Sequence, residues 1–210
     1  MKRIHIKVTF IDDLLGSANS NPEIHSEFIA SKAPDAKTRE EEVAAVGAAE
    51  VAEKTTTIFP RNKDGMPIMY GYQMNGFFKE ACKALRAMTG EKCAKESIAL
   101  KAYKQRIDLE FRVYGDADFT EKEIVIHTDD AIGTCQRPLR AETMQGARVA
   151  LASSEQISKG AWCEMYIRCP DIREKVVKEW LDYGRYHGML QWRNSGKGAF
   201  TYELIDITDC

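Results

Sequence analysis

The chain has 210 residues, 44% of them hydrophobic and 30% charged, with a formal net charge of −2, so there is material for a real core. This balance excludes a uniformly basic polyelectrolyte, and no apolar run approaches the roughly 20 residues of a membrane span. The average hides an asymmetry: Ile11–Pro60 holds ten acidic against four basic residues, and Ala131–Phe200 seven against eleven.

In chain order, Ile4, Ile6, Val8 and Phe10 alternate with His5, Lys7 and Thr9, the period of a half-buried strand. A loop through Ser17–Pro22 leads to a helix capped by Asn21 and running to about Ala30. Ala33-Pro34-Asp35 breaks it, and an acidic, alanine-rich helix follows near Thr38–Glu53, with Thr38 and Glu41 spaced as a capping box. Thr55–Phe59 reads as a short strand, Pro60–Gly65 as a turn, and Met66–Met69 as extended chain. From Tyr72 to Met88, Met74, Phe77, Phe78, Ala81 and Leu85 fall on one helical stripe. Thr89–Ser97 reads as loop. Ile107, Leu109, Phe111 and Val113 read as a strand, and so does Ile124–Ile126. The segment from Asp129 to Lys159 is long, basic at its middle and rich in small residues. Trp162–Cys169 alternates as a strand. Asp171–Tyr183 is a helix with Ile172, Val176, Val177, Trp180 and Leu181 inward, Gly184–Gly198 a glycine-spaced loop, and Ala199–Ile207 a last strand.

This order predicts an α+β fold: a ferredoxin-like or RRM-like antiparallel sheet of split βαβ units, helices on one face, with inserted helical and thumb-like segments. The reading is a single domain over 1–210, with an acidic helical insertion at about 34–54 and a thumb-like insertion at about 129–160. Six cysteines, Cys82, Cys93, Cys135, Cys163, Cys169 and Cys210, show no CxxC pair, and the N-terminus reads straight into a strand. The expectation is a cytoplasmic protein with reduced thiols, no structural zinc and no cofactor.

Two segments carry most of the functional signal. In Tyr183–Phe200, Gly184, Gly188, Gly196 and Gly198 are interleaved with Arg185, Arg193 and Lys197 and with Tyr186 and Trp192. Glycine lets backbone amides turn toward phosphate, arginine adds bidentate contacts, and a ring offers a face to a base. A glycine-capped helix end with a tight loop explains the same residues without a ligand. The Gly-Lys pair is not a P-loop, because the spacing fails and the segment runs from helix to strand. The second segment, Gln136–Arg148, carries Arg137, Arg140 and Arg148 with little local acid. It reads as an arm along a phosphate backbone, or as a hairpin that is solvated or docked on a neighbouring subunit.

A family resemblance adds to these signals. Tyr70-Gly71-Tyr72-Gln73-Met74-Asn75-Gly76-Phe77-Phe78-Lys79, an extended segment turning into a helix, resembles the helix-entry motif of the RAMP superfamily, the RNA-recognition-fold proteins of CRISPR complexes. The glycine-rich loop before the last strand is that superfamily's other hallmark. Lys79 stands where the family has arginine, and the glycines are spaced more widely. The resemblance implies a backbone-type subunit that polymerises along a guide strand, with 129–160 as the thumb laid against the next copy. Separately, the sequence has the flavour of a phage or mobile-element protein.

Chemistry has weaker support. His25 sits where some RAMP relatives keep a ribonuclease histidine, but no second group can be placed beside it, and His5, His127 and His187 are scattered. Asp12-Asp13 and Asp129-Asp130 are adjacent carboxylates that point apart on a strand and make no metal clamp. The expected function is therefore non-catalytic binding of single-stranded RNA or DNA by a homo-oligomer or filament, with no metal and no membrane. Two rivals stand beside it: an interaction protein that mimics a CRISPR-type complex subunit, and a metal-independent ribonuclease using His25.

Overall fold

The computed structural model describes residues 1–19, 56–88, 94–143 and 146–210, the side chains of 19, 139–143 and 146–151 excepted. The helices expected at 21–30 and 38–53, and with them His25, lie outside the described residues. The chain divides into two compact units, one of 1–14, 60–131 and 157–210 and one of 15–59 and 132–156.

The first unit is built on β1 (Lys2–Phe10), α1 (Gly71–Ala87), β6 (Arg112–Tyr114), β10 (Trp162–Cys169), α4 (Glu174–Tyr183) and β11 (Phe200–Asp209). Its sheet runs in the order β11–β1–β10–β6, every neighbouring pair antiparallel. The links β1–α1–β6 and β10–α4–β11 each step over one strand, so two βαβ units interlock. That is the ferredoxin-like arrangement.

The side-chain pattern explains why. Ile4, Ile6, Val8 and Phe10 on β1 and Cys163, Met165, Ile167 and Cys169 on β10 are all buried on one face. Against them α1 lays Met74, Phe77, Phe78, Ala81 and Leu85, and α4 lays Val176, Val177, Trp180 and Leu181. The rings interlock: Phe78 and Phe111 lie 5.1 and 5.0 Å from Trp180, and Phe77 lies 5.1 Å from Phe200, centroid to centroid. Burying one such ring stabilises by about 1.5–3 kcal/mol. The start of α1 is fixed by the Gln73 side chain, which accepts from the Tyr70 backbone N–H at 2.8 Å.

Two short helices lie between α1 and β6: α2 (Lys95–Ala99) and α3 (Tyr103–Glu110). Both correct the sequence reading. Residues 95–97 are not loop, and 107–110 are not strand. Ile107 and Phe111 are both buried and stand four apart, one helical turn, whereas Leu109 is 71% exposed. The apparent alternation counted a solvent-facing leucine as core. Arg106 and Glu110, four apart on the same helix, are ion-paired at 2.6 Å. Two small strands, β5 (Ile68–Tyr70) and β7 (Glu123–Val125), pair antiparallel.

In the second unit, β3 (Ala18–Asn19) and β4 (Thr57–Ile58) join a long hairpin of β8 (Gly133–Thr143) and β9 (Gly146–Ile157). The hairpin is paired from Gly133↔Gln156 to Thr143↔Gly146 without a register break. The hydroxyl of Thr57 donates to that of buried Ser154 at 2.8 Å, and Glu155 accepts from the Phe59 N–H at 2.8 Å. The strand expected at Thr55–Phe59 is thus two residues long among the described ones, and the short β2 (Leu14–Leu15) pairs with β9.

Candidate nucleic-acid interface

The loop between α4 and β11 is stitched closed at its base. The Gly184 N–H bonds to Leu181 O at 3.0 Å, and Gly184 O accepts from the Phe200 N–H at 2.9 Å. A Cβ on Gly184 would stand 2.3 Å from the Phe200 ring, and one on Gly188 would stand 1.9 Å from Lys197 O. Both glycines are buried, and their smallness serves close packing. The N–H groups of Gly196 and Gly198 are also taken, by Arg193 O at 2.9 Å and Asp13 O at 2.8 Å. Three of the four loop glycines therefore spend their amides on protein carbonyls, so the expected phosphate cradle of outward amides is not formed by them.

Two ionic clips hold the rest of the loop. Glu80 on α1 accepts from His187 at 2.9 Å and from the Arg193 guanidinium. Lys197 binds Asp12 at 2.9 Å and Asp13 at 2.8 Å, just beyond β1. The Lys197 hydrogen bond holds the Asp12 carboxyl below its ordinary range, and Asp13 and Asp12 together raise Lys197. Arg193 and Lys197 thus carry charge already balanced by the protein. Arg185 differs: it is exposed and has no ion-pair or hydrogen-bond partner among the described residues. Beside it Tyr186 is 80% exposed, and Trp192 is 43% exposed.

On the hairpin, Arg137 is half-buried, and the side chains of Arg140 and Arg148 lie outside those described. The register sets Arg137 opposite Ala152, Arg140 opposite Val149, and Arg148 opposite Ala141. By alternation, positions 137 and 148 fall on one face of the hairpin and position 140 on the other. The three do not form one row.

A cavity of about 280 Å³ opens beside Arg185, lined by Leu181, Asp182, Arg185, Thr201 and Tyr202. The Tyr202 hydroxyl donates to Asp182 Oδ1 at 3.2 Å, and burial together with that carboxylate pushes the phenol up to about 12. Sequence reasoning misses Asp182, Thr201 and Tyr202. Their only local signal is the position of Asp182 one turn before Tyr186, and of Tyr202 shortly past the last loop glycine.

The other chemical candidates among the described residues have partners within the protein. Lys197 occupies the Asp12-Asp13 pair, and the Thr128 hydroxyl accepts from the Asp130 N–H at 3.2 Å in a turn. His5 stacks on Tyr166 at 4.1 Å and bonds Glu164 at 3.1 Å, and His127 stacks on Trp162 at 4.2 Å with Lys7 on the same indole at 4.3 Å. Burial raises the thiols of Cys82 to about 11 and of Cys163 and Cys169 to about 12. Among the described residues no group of three or more His, Cys, Asp or Glu is placed to hold a metal, and no helix is long and apolar enough to cross a membrane.

No protein-family model and no curated protein matches the sequence. Among solved structures, the chain is similar to one from the Type III-B Cmr-beta bound to cognate target RNA, at 9% identity and a TM-score of 0.46. The match covers 99% of this chain and 60% of that one, so this chain spans about three-fifths of its length. The ferredoxin-like arrangement stands on the strand order alone, and no residue role is taken from that structure.

Proposed function

We propose that the protein binds single-stranded nucleic acid, RNA or DNA, without cleaving it, and that copies assemble along the strand. One observation carries the reading: a loop pinned at both flanks holds Arg185 unpaired among the described residues, Tyr186 80% exposed and Trp192 43% exposed. Leaving large rings in water gives up burial energy, and ring faces beside a guanidinium suit stacked bases and a phosphate. Arg137, Arg140 and Arg148 on the hairpin are proposed as further phosphate contacts. Arg193 and Lys197 join them only by exchanging Glu80, Asp12 and Asp13 for phosphate.

Fluorescence polarisation with labelled oligouridylate and oligothymidylate across a salt series tests this. Tyr186→Ala should weaken binding by about 1–3 kcal/mol, the usual worth of a stacked base. The triple variant Arg137→Ala, Arg140→Ala, Arg148→Ala should lower the salt slope by roughly one unit for each phosphate it no longer neutralises. Wild-type protein that binds neither strand at low salt refutes the reading. In the same samples, mass in solution should rise with strand length, and a single copy on every strand refutes the assembly.

A further inference from the structure

The cavity beside Arg185 lies where α4 ends and β11 begins, with every lining residue in the first unit. Its chemistry is divided. Arg185 offers guanidinium donors with no partner among the described residues. Asp182 offers a carboxylate of which only one oxygen is bonded, at the 3.2 Å of a long hydrogen bond from Tyr202. Asp182 and Arg185 line the same space, and no ion pair joins them. Leu181 is buried at its base, and Tyr202, half-buried, is held there by its hydroxyl. The ligand this arrangement suits is planar and carries acceptors on one part of its edge and donors on the next.

We infer that this cavity reads a guanine base of the bound strand, with Arg185 donating to O6 and N7 and Asp182 accepting from N1–H and the N2 amino group. The inference rests on the strand-binding reading above. Guanine is the base that presents two adjacent acceptors to an arginine, the commonest base-specific contact in nucleic-acid recognition, and then two adjacent donors suited to a carboxylate. Unpaired strands expose this edge freely, and proteins read it there while stacking the base on a ring. Cytosine and adenine present a single exocyclic donor beside a ring acceptor, so they satisfy the carboxylate once and leave the guanidinium poorly matched.

The experiment compares labelled oligouridylate with the same strand carrying one central guanosine. Wild-type protein should hold the guanosine strand about tenfold more tightly. Asp182→Asn should lose most of that preference while binding plain oligouridylate as well as before or slightly better, since a negative charge has gone. That opposite movement is not expected of general damage to the fold, and Asp182 is exposed. Inosine at the central position, which lacks the N2 amino group, should behave like the Asp182→Asn result. Equal binding of the two strands by wild-type protein, or a preference that survives Asp182→Asn, overturns the inference and leaves strand binding standing. If no strand binds, calorimetric titration with guanosine and uridine 5′-monophosphates decides the pocket separately. Selective guanosine monophosphate binding keeps the pocket and removes the strand, and no selectivity removes both.

Discussion

The five-residue helix α2 is too short to stand on its own hydrogen bonds, and its two ends are held by side chains from other helices. At its N-terminus, Glu179 of α4 accepts from the Glu96 N–H at 2.8 Å, the Ser97 N–H at 2.8 Å and the Ser97 hydroxyl at 2.7 Å. Ser97 Oγ in turn accepts from Trp180 Nε1 at 3.1 Å, and both residues are fully buried. At the other end, Arg86 of α1 donates to the carbonyls of Ser97, Ile98 and Leu100. Glu179→Ala strands three donors. A hydrogen bond to a charged group is worth about 1.5–3 kcal/mol, but Glu179 is half-buried and water can replace part of it, so about 1 kcal/mol per donor is the working figure. The expected loss is about 3 kcal/mol, out of a total of about 5–15 kcal/mol for a protein of ordinary stability. For a chain of this size that lowers the thermal midpoint by about 6–12 °C. Glu179→Gln keeps acceptor oxygen and should lose about 1 kcal/mol. The control is Glu174→Ala, which removes only the i,i+4 pair with Lys178 and should cost under about 0.5 kcal/mol. Urea titration followed by tryptophan fluorescence reads all three, with Trp180 reporting directly. Glu179→Ala indistinguishable from Glu174→Ala would refute the reasoning.

Two further outcomes follow from the same geometry. Gly184→Ala forces a methyl into the Phe200 ring, itself fully buried against Phe77, and should destabilise by about 2–4 kcal/mol, whereas Gly76→Ala, in α1 with open space at its Cβ, should stabilise by about 0.5–1 kcal/mol; the two midpoints shifting in the same direction would contradict this. The Lys197 clip gives a pH signature. Because the Asp12 pKa is lowered from 3.8 in the fold, its contribution is present above that value and is lost as pH falls through the folded one. Because Lys197 is raised from 10.5, its contribution is present below that value and is lost as pH rises through the folded one. Lys197→Met should therefore show a smaller drop in thermal midpoint between about pH 7 and about pH 3 than wild type, and equal drops measured by calorimetry would dismiss the clip.

The sheet was legible in the sequence because burial there is one-sided. Each of Ile4, Ile6, Val8 and Phe10 is at most 1% exposed while their neighbours are half-exposed, so period two in the sequence is period two in space. The same holds for the stripes of α1 and α4. It failed at α3, where one exposed leucine between two buried residues four apart imitates a strand. Of the short elements, β5 and β7 show in the sequence as the extended Met66–Met69 and the apolar Ile124–Ile126, whereas β6 is set by its pairing with β10 and reads as the end of a longer strand.

The candidate site is legible in composition and not in charge state. A sequence shows that glycine, arginine and tyrosine share a loop. It does not show that the carboxylate for Arg193 comes from 113 residues away and those for Lys197 from 185 and 184. Counting loop cations by sequence gives three, Arg185, Arg193 and Lys197, and a salt slope near three would follow if each met a phosphate. After the internal pairs are subtracted one remains. A phosphate displacing Asp12 and Asp13 from Lys197 must replace two short charged hydrogen bonds and leave two carboxylates near the strand, so the exchange gains little. The loop should accordingly contribute a salt slope near one and take the rest of its affinity from Tyr186 and Trp192, which salt does not screen. Glycine abundance misleads for the same reason. Gly184 and Gly188 make room for neighbouring atoms, and what they position is the exposed pair Arg185 and Tyr186 between them.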